Sequence, residues 1–283
     1  LILHSPFSSS SNRPQRKKEE KRKLEERRKA WQLAQLPRNH EGRILKRTPP
    51  VTEPILCNTP EADAIVSTLQ IFPKDNHWNL DISELPVLPN SDALAANLGK
   101  FVRPAPEFVY IIVPPDQPRV KMVFDPYPES CDKEDYPIPD NTPIEGWADQ
   151  FSGTGDRHTC ILDPTAMKIY ELYHAYRLKK GGWKAFGCIF DLTSNKLRGG
   201  GRYITSSDAA GLPIFPALIR YDECERGMVE HAMRVCIPTT RKEYIYPATH
   251  YASSKSDPNL PAMGQRFRLK RDYPLSGFSK HAK

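Results

Sequence analysis

Seven side chains in the second half of this sequence are of the types that acid, base or anion-binding chemistry requires: Asp156, His158, Glu171, Arg177, Glu230, Arg234 and His250. The two-residue period of a strand over Ile169–Arg177 puts Glu171, Tyr173, Ala175 and Arg177 on one face and Tyr170, Leu172, His174 and Tyr176 on the other. A face that carries a carboxylate, an aromatic ring and a guanidinium is the equipment of a sugar-cleaving sheet. The carboxylate moves a proton and the ring holds the sugar. In the segment 229–236, Glu230 and Arg234 share a face, so Glu171 and Glu230 become a pair of acids if the two strands are neighbours. The competing reading is cross-strand pairing in a structural sheet, and it carries more weight because no second carboxylate is fixed at a known distance.

The loop Gly153-Thr154-Gly155-Asp156-Arg157-His158 precedes a strand, with Asp156 placed to orient His158 and Arg157 to hold an anion. It has no nucleophile elbow, and its Gly-x-Gly lacks the third glycine and following helix of a nucleotide site. A turn in which Asp and Arg brace neighbouring loops is the plainer reading. His158, His174, His231 and His250 become metal ligands only if four separate elements converge, and the six cysteines contain no Cys-x-x-Cys. No metal and no cofactor is expected. Cys160, Cys188 and Cys236 lie in apolar runs, which favours reduced thiols that pack as small hydrophobes over disulfides.

The elements that must position these residues read as strands. Apolar or alternating runs occur at 108–113, 120–124, 159–163, 168–177, 186–192, 217–221, 229–237, 243–246 and 265–270. The 28 prolines bound them as turn and edge residues. The expected class is mainly β, a sandwich or barrel-like domain over 71–283. Residues 49–70 read as a linker with a short helix at about 60–69, and 94–101 as a helical turn.

Charge divides the chain unevenly. Residues 1–48 hold fourteen Lys or Arg against five Glu, a net +9, which leaves the other 235 residues at −2 of the total +7. Strong helix formers from Arg16 to Leu36, ended by Pro37, predict a basic helical arm with Glu19–Lys23 and Glu25–Lys29 at the favourable four-residue spacing. Its candidate partner-binding residues are Arg16, Lys17, Lys18, Arg22, Lys23, Arg27, Arg28 and Trp31. Such an arm grips another subunit's acidic surface, RNA or an anionic membrane. The bland alternative is a solvated helix packed on its own domain. No stretch reaches the roughly 20 apolar residues of a membrane span. Leu1-Ile2-Leu3 with Ser8–Ser11 and Arg13 matches either the remnant of an organellar presequence, mitochondrial by preference, or an ordinary linker.

The blocks Gly-Asp-Arg-His (155–158), Phe-Asp-Leu-Thr-Ser-Asn-Lys-Leu-Arg (190–198), Ser-Asp-Ala-Ala-Gly-Leu-Pro-Ile-Phe-Pro (207–216), Pro-Ala-Thr-His-Tyr-Ala-Ser (247–253) and Met-Gly-Gln-Arg-Phe-Arg-Leu-Lys (263–270) resemble a family of uncharacterised, often exported bacterial proteins. The resemblance covers roughly 71–279 and implies a domain identity without an established activity. The chain departs from the family pattern by carrying Gly199–Thr205 where the family has Trp-Thr, and by ending where the family continues with further strands. A shortened domain with a basic arm reads as a former enzyme or binding module recruited into a larger assembly. The expected function is therefore that of a non-catalytic accessory subunit. The alternative is a sandwich-class carbohydrate hydrolase or lyase using Glu171 or Glu230, or a glycan-binding module displaying Tyr170, Tyr173, Tyr176 and Trp183; an exported location accompanies that alternative.

Overall fold

The computed structural model describes residues 13–99, 107–201 and 203–278, and the chain divides into two compact units at Lys46/Arg47. In the first unit, α1 (Arg13–Ala34) is a basic helix one turn longer at its start than the sequence predicts. Glu19 pairs with Lys23 at 2.8 Å and Arg22 with Glu26 at 3.5 Å. Both pairs are exposed and each contributes a few tenths of a kcal/mol at most. After Pro37 the chain turns back, with Asn39 accepting from the Arg43 amide (2.8 Å) and an isolated bridge between Arg38 and Ile44.

The second unit is organised by one mixed sheet. Its strands are β1 (Ile55–Leu56), β2 (Tyr110–Ile112), β3 (Met122–Phe124), β4 (Thr159–Asp163), β5 (Lys168–Arg177) and β6 (Trp183–Asp191), in the order β1-β2-β4-β5-β6-β3. The centre is an antiparallel meander, β4–β5–β6. β2 joins β4 in parallel, β3 joins β6 in parallel, and β1 runs antiparallel to β2. Because the long strands are covered on both faces, their residues are apolar on both sides. One face packs Tyr110, Ile112, Cys160, Leu162, Ile169, Phe186 and Cys188 under the short helix α2 (Pro60–Val66) and the turn at Ile214–Phe215. The other packs Ile111, Ile161, Tyr170, Leu172 and Ala185 under Tyr136, Ile138 and Ile144. The segment read as a linker belongs to this core: Val51, Cys57, Ala62, Ile65 and Val66 are buried in it. Thr59 caps α2 by accepting from the Ala62 amide (3.2 Å), and Pro60 follows at the first helical position.

Four expected strands, at 217–221, 229–237, 243–246 and 265–270, are not strands. Ala217 ends a single 3-10 turn (Phe215–Ala217), and Tyr221 opens α4 (Tyr221–Arg226). The stretch 229–237 makes only isolated backbone bonds, Ala232 N–H to Trp78 O (2.8 Å) and Arg234 N–H to Ala217 O (3.5 Å). Leu218 packs against the core, whereas Ile219, Met233, Val235, Tyr244, Ile245 and Leu269 are exposed, so these segments run as irregular chain. The helical turn falls at α3 (Ser91–Ala96), and all six cysteines are free.

A bulge in β5 decides which residues share a face. Pairing with β6 shifts between Tyr173 and Tyr176, and His174 adopts φ +57°. Beyond it the alternation is reversed. Ala175 joins the face of Tyr170 and Leu172, while Arg177 pairs with Trp183 on that same side, away from Glu171. The predicted Glu171–Arg177 face is thereby corrected.

Candidate functional site

The structure gathers His158, Glu171 and Arg234 around one loop, Ser206–Asp208, and does so through residues the sequence did not single out. Glu171 sits in the middle of β5, flanked by β4 and β6, and is fully buried. Its carboxylate accepts the Ile214 amide at 2.8 and 3.0 Å and the Phe215 amide at 2.9 Å, and so ties the loop before the 215–217 turn to the sheet. His158 begins β4's approach. Its Nδ1 and backbone amide meet Glu145 Oε2 at 2.8 and 3.1 Å, and its Nε2 meets Ser207 O at 3.0 Å. Asp156, the expected orienting group, is exposed and contributes only its carbonyl, to the His174 amide. Glu145 holds the place instead. Burial acts to raise its pKa, but the His158 hydrogen bonds and charge outweigh that, and the carboxyl titrates below its ordinary range.

Arg234 donates to Asp208 and lies over the Phe108 ring at 5.2 Å. Asp208 also accepts the Ala210 amide at 2.8 Å. Ser207 Oγ lies 3.3 Å from Cys188 Sγ, and burial pushes that thiol up to about 12, so it stays protonated and unreactive near neutrality. His158, Glu171, Ser207 and Asp208 each meet partners within the cluster or its loop, as buried polar groups must. The arrangement fixes the 206–217 loop to the sheet.

The remaining candidates lie elsewhere. Arg177 pairs with Asp140 and approaches the Gln150 carbonyl oxygen of its side chain at 3.3 Å. Glu230 faces Arg226 at 3.5 Å. It cannot stand opposite Glu171, because both neighbours of β5 are already in place. His231 meets Glu223 at 3.1 Å, and Glu223 is bridged to Arg220 at 2.5 Å, a second charged cluster on α4. His250 Nδ1 lies 2.8 Å from Ala209 O. Among the described residues no three His, Cys, Asp or Glu side chains come together to hold a metal ion. The anion-binding reading of Arg157 is corrected as well. It is buried and donates to the carbonyls of Ala175 (3.0 Å), Ser152 (2.6 Å) and Asp149 (2.6 Å), with its guanidinium 4.2 Å over Tyr176. Arg157 braces the neighbouring loops as the plainer reading of this turn has it, while the Asp156 side chain is exposed. Tyr170 and Trp183, offered as sugar platforms, are core residues.

Among the described residues two exposed surfaces bear on partner binding. Side chains 15–38 are exposed throughout, so all eight arm residues from Arg16 to Trp31 are accessible, and Trp31 is 66% exposed. Tyr203, Tyr244, His250 and Tyr251 form an aromatic cluster that sequence reasoning missed. Ile204 and Thr249 draw its segments together, through the Ile204 amide to Thr249 O (3.3 Å) and Thr249 Oγ1 to Ile204 O (2.8 Å).

Glu171 gives a pH-dependent stability. Burial raises its pKa from 4.5 to about 7, against the pull of the two backbone amides. The folded chain therefore keeps a proton that the unfolded chain releases above 4.5, and stability falls as pH rises from about 4.5 to 7, then levels. At about 1.4 kcal/mol per unit the loss is about 3 kcal/mol. Melting curves of the parent and Glu171→Gln between pH 5 and 8 should converge or cross by a relative shift on the order of 5–10 °C. Parallel curves would show that Glu171 is ionised in the fold at every pH. No protein-family model, curated protein or solved structure matches this chain.

Proposed function

We propose that this chain is a non-catalytic accessory subunit of a larger assembly, held there by its basic N-terminal arm. The observation that carries the reading is α1 itself: 22 residues, charged on every side and solvent-exposed from residue 15 onward. A helix of that composition buries nothing of its own, so its basic side chains stay available to a partner. Among the described residues no helix is long and apolar enough to cross a membrane, and α1 lacks the apolar face that an interfacial helix inserts.

The second support is the fate of the acid–base candidates. Glu171 holds two backbone amides, Glu230 faces Arg226, and His158 is held between Glu145 and Ser207, so an open groove lined by these groups is not what the side chains make. In this reading the body is sandwich-like, with α2 and the turn at Ile214–Phe215 over one face of the sheet and Tyr136, Ile138 and Ile144 over the other. The Ser- and Arg-bearing leader supports an organellar, mitochondrial setting. Replacing Arg16, Lys17, Lys18, Arg22, Lys23, Arg27 and Arg28 by Gln in the full chain should release it from its assembly on a sizing column run from native extract. The melting of the sheet unit should shift by less than about 2 °C, since surface changes of this kind stay within about 0.5 kcal/mol. Retention of the substituted chain in the assembly overturns the proposal.

A further inference from the structure

We propose that Tyr203, Tyr244, His250 and Tyr251 form a stacking platform for the unpaired bases of RNA, so that the assembly joined by this subunit is a ribonucleoprotein. The inference rests on the accessory-subunit reading and gives its partner a chemistry. Four rings from three separate segments cluster, with Tyr203 tilted by 37° to His250 and by 54° to Tyr251. Tyr203 lies 4.4 Å from His250 and 5.2 Å from Tyr251, and Tyr244 lies 6.3 Å from Tyr251 with planes 22° apart. His250 and Tyr251 are 17° from parallel. The segments are held there by the Ile204–Thr249 bonds and by the Ile245 amide bonding Met263 O at 2.8 Å. Tyr203 is 57% and Tyr244 38% exposed, so this aromatic surface is built by the fold and then left to solvent. Exposed apolar surface of that kind marks a binding site.

Charge at the rim selects the ligand. Lys242 and Lys255 are exposed and are drawn together by the Lys242 amide bonding Lys255 O at 2.6 Å. Glu243, next to Lys242, is occupied by Arg241 at 2.6 Å, and among the described residues neither lysine is held in an ion pair. Rings next to free cations suit a polymer whose monomers each offer a planar π face and a phosphate. Each stacked base contributes about 1–3 kcal/mol. A neutral sugar gains nothing from the charge of the lysines, whereas a phosphate forms charge-assisted hydrogen bonds with them. RNA presents such unpaired bases in loops and ends as a rule.

The test uses the full chain and a fluorescent oligouridylate of about ten nucleotides, read by anisotropy over a range of salt. Tyr203→Ala and Tyr251→Ala should each weaken binding by roughly 5- to 100-fold with the salt slope unchanged, and Tyr251→Phe should bind as the parent does. Lys242→Ala should lower the slope by about 0.7. If an alanine variant fails to fold, a 5-iodouridine oligonucleotide cross-linked to the parent chain gives the same answer: adducts on the Tyr203 or Tyr251 peptides support the platform. Adducts confined to other peptides overturn it. So do tyrosine variants that bind normally, equal affinity for a perfect RNA duplex, or displacement of the oligonucleotide by a neutral oligosaccharide. The two proposals fail separately. An arm-substituted chain that leaves its assembly while tyrosine variants bind normally removes the platform alone, and a retained arm-substituted chain with weakened tyrosine variants removes the tether alone.

Discussion

Arg157→Ala is expected to cost about 3–5 kcal/mol of stability, the largest effect of any single replacement in the loop before β4. The guanidinium is buried, with three carbonyl oxygens at 2.6–3.0 Å and a tyrosine ring at 4.2 Å. Truncation leaves the carbonyls of Asp149, Ser152 and Ala175 without that donor and opens a cavity under Tyr176; lost hydrogen bonds of this kind cost about 1–3 kcal/mol each where the group stays dry. Arg157→Lys keeps the charge but has one nitrogen centre, which cannot serve three divergent carbonyls, so about half of the loss should remain. Urea titration of the two variants checks this. A midpoint for Arg157→Ala within the error of the parent's would show that water replaces the guanidinium without penalty.

Gly211→Ala should be nearly as damaging and should act on a different part of the molecule. Gly211 has φ +76°, and a Cβ there would overlap Thr249 Oγ1 and come within 2.7 Å of Ile204 O. Those two atoms form the bond that joins the 203–205 and 247–251 segments. Either the left-handed backbone or the Thr249–Ile204 contact has to yield, at about 2–4 kcal/mol. Because Tyr203 and His250 are each the immediate neighbour of a residue in that bond, their ring contact at 4.4 Å should be lost together with stability. Near-ultraviolet circular dichroism of the tyrosines, followed alongside thermal melting, separates the two. An unchanged tyrosine signal in a destabilised variant would place the damage away from the aromatic surface.

The strands β4, β5 and β6 were legible as strands, though not their order, because β-forming apolar residues fill each of them, on both faces in the two long ones. That same pattern carried a signal about Glu171 that candidate-site reasoning overlooked. A carboxylate between Ile169 and Tyr173 on one side, with Tyr170 and Leu172 on the other, is placed where water does not reach, so a structural anchor was the reading to favour. The bulge at His174 was not legible, since a bulge is a property of pairing between strands, and one residue of slip moves every later side chain to the opposite face. Glu145 and Ser207 lie 13 and 49 residues from His158, and nothing in local spacing marks them as its partners. The segments 229–237 and 265–270 alternate well enough to be strands, yet their backbone bonds are scattered, Ala232 to Trp78, Arg234 to Ala217 and Gln265 to Ala262, and alternation without a paired partner does not make a sheet. The helix of the arm was legible to within a turn, because propensity decides where packing does not.

The two ends of the sheet are stubs: β1 offers two residues and β3 three. A foreign polypeptide seeking to lengthen the ladder, whether an amyloidogenic neighbour or another copy of this chain, would find only a couple of peptide groups to zip onto, too few to offset the entropy of straightening itself. Recruitment by strand donation is closed at both borders. Association through side chains avoids that cost, and such contacts are editable one residue at a time.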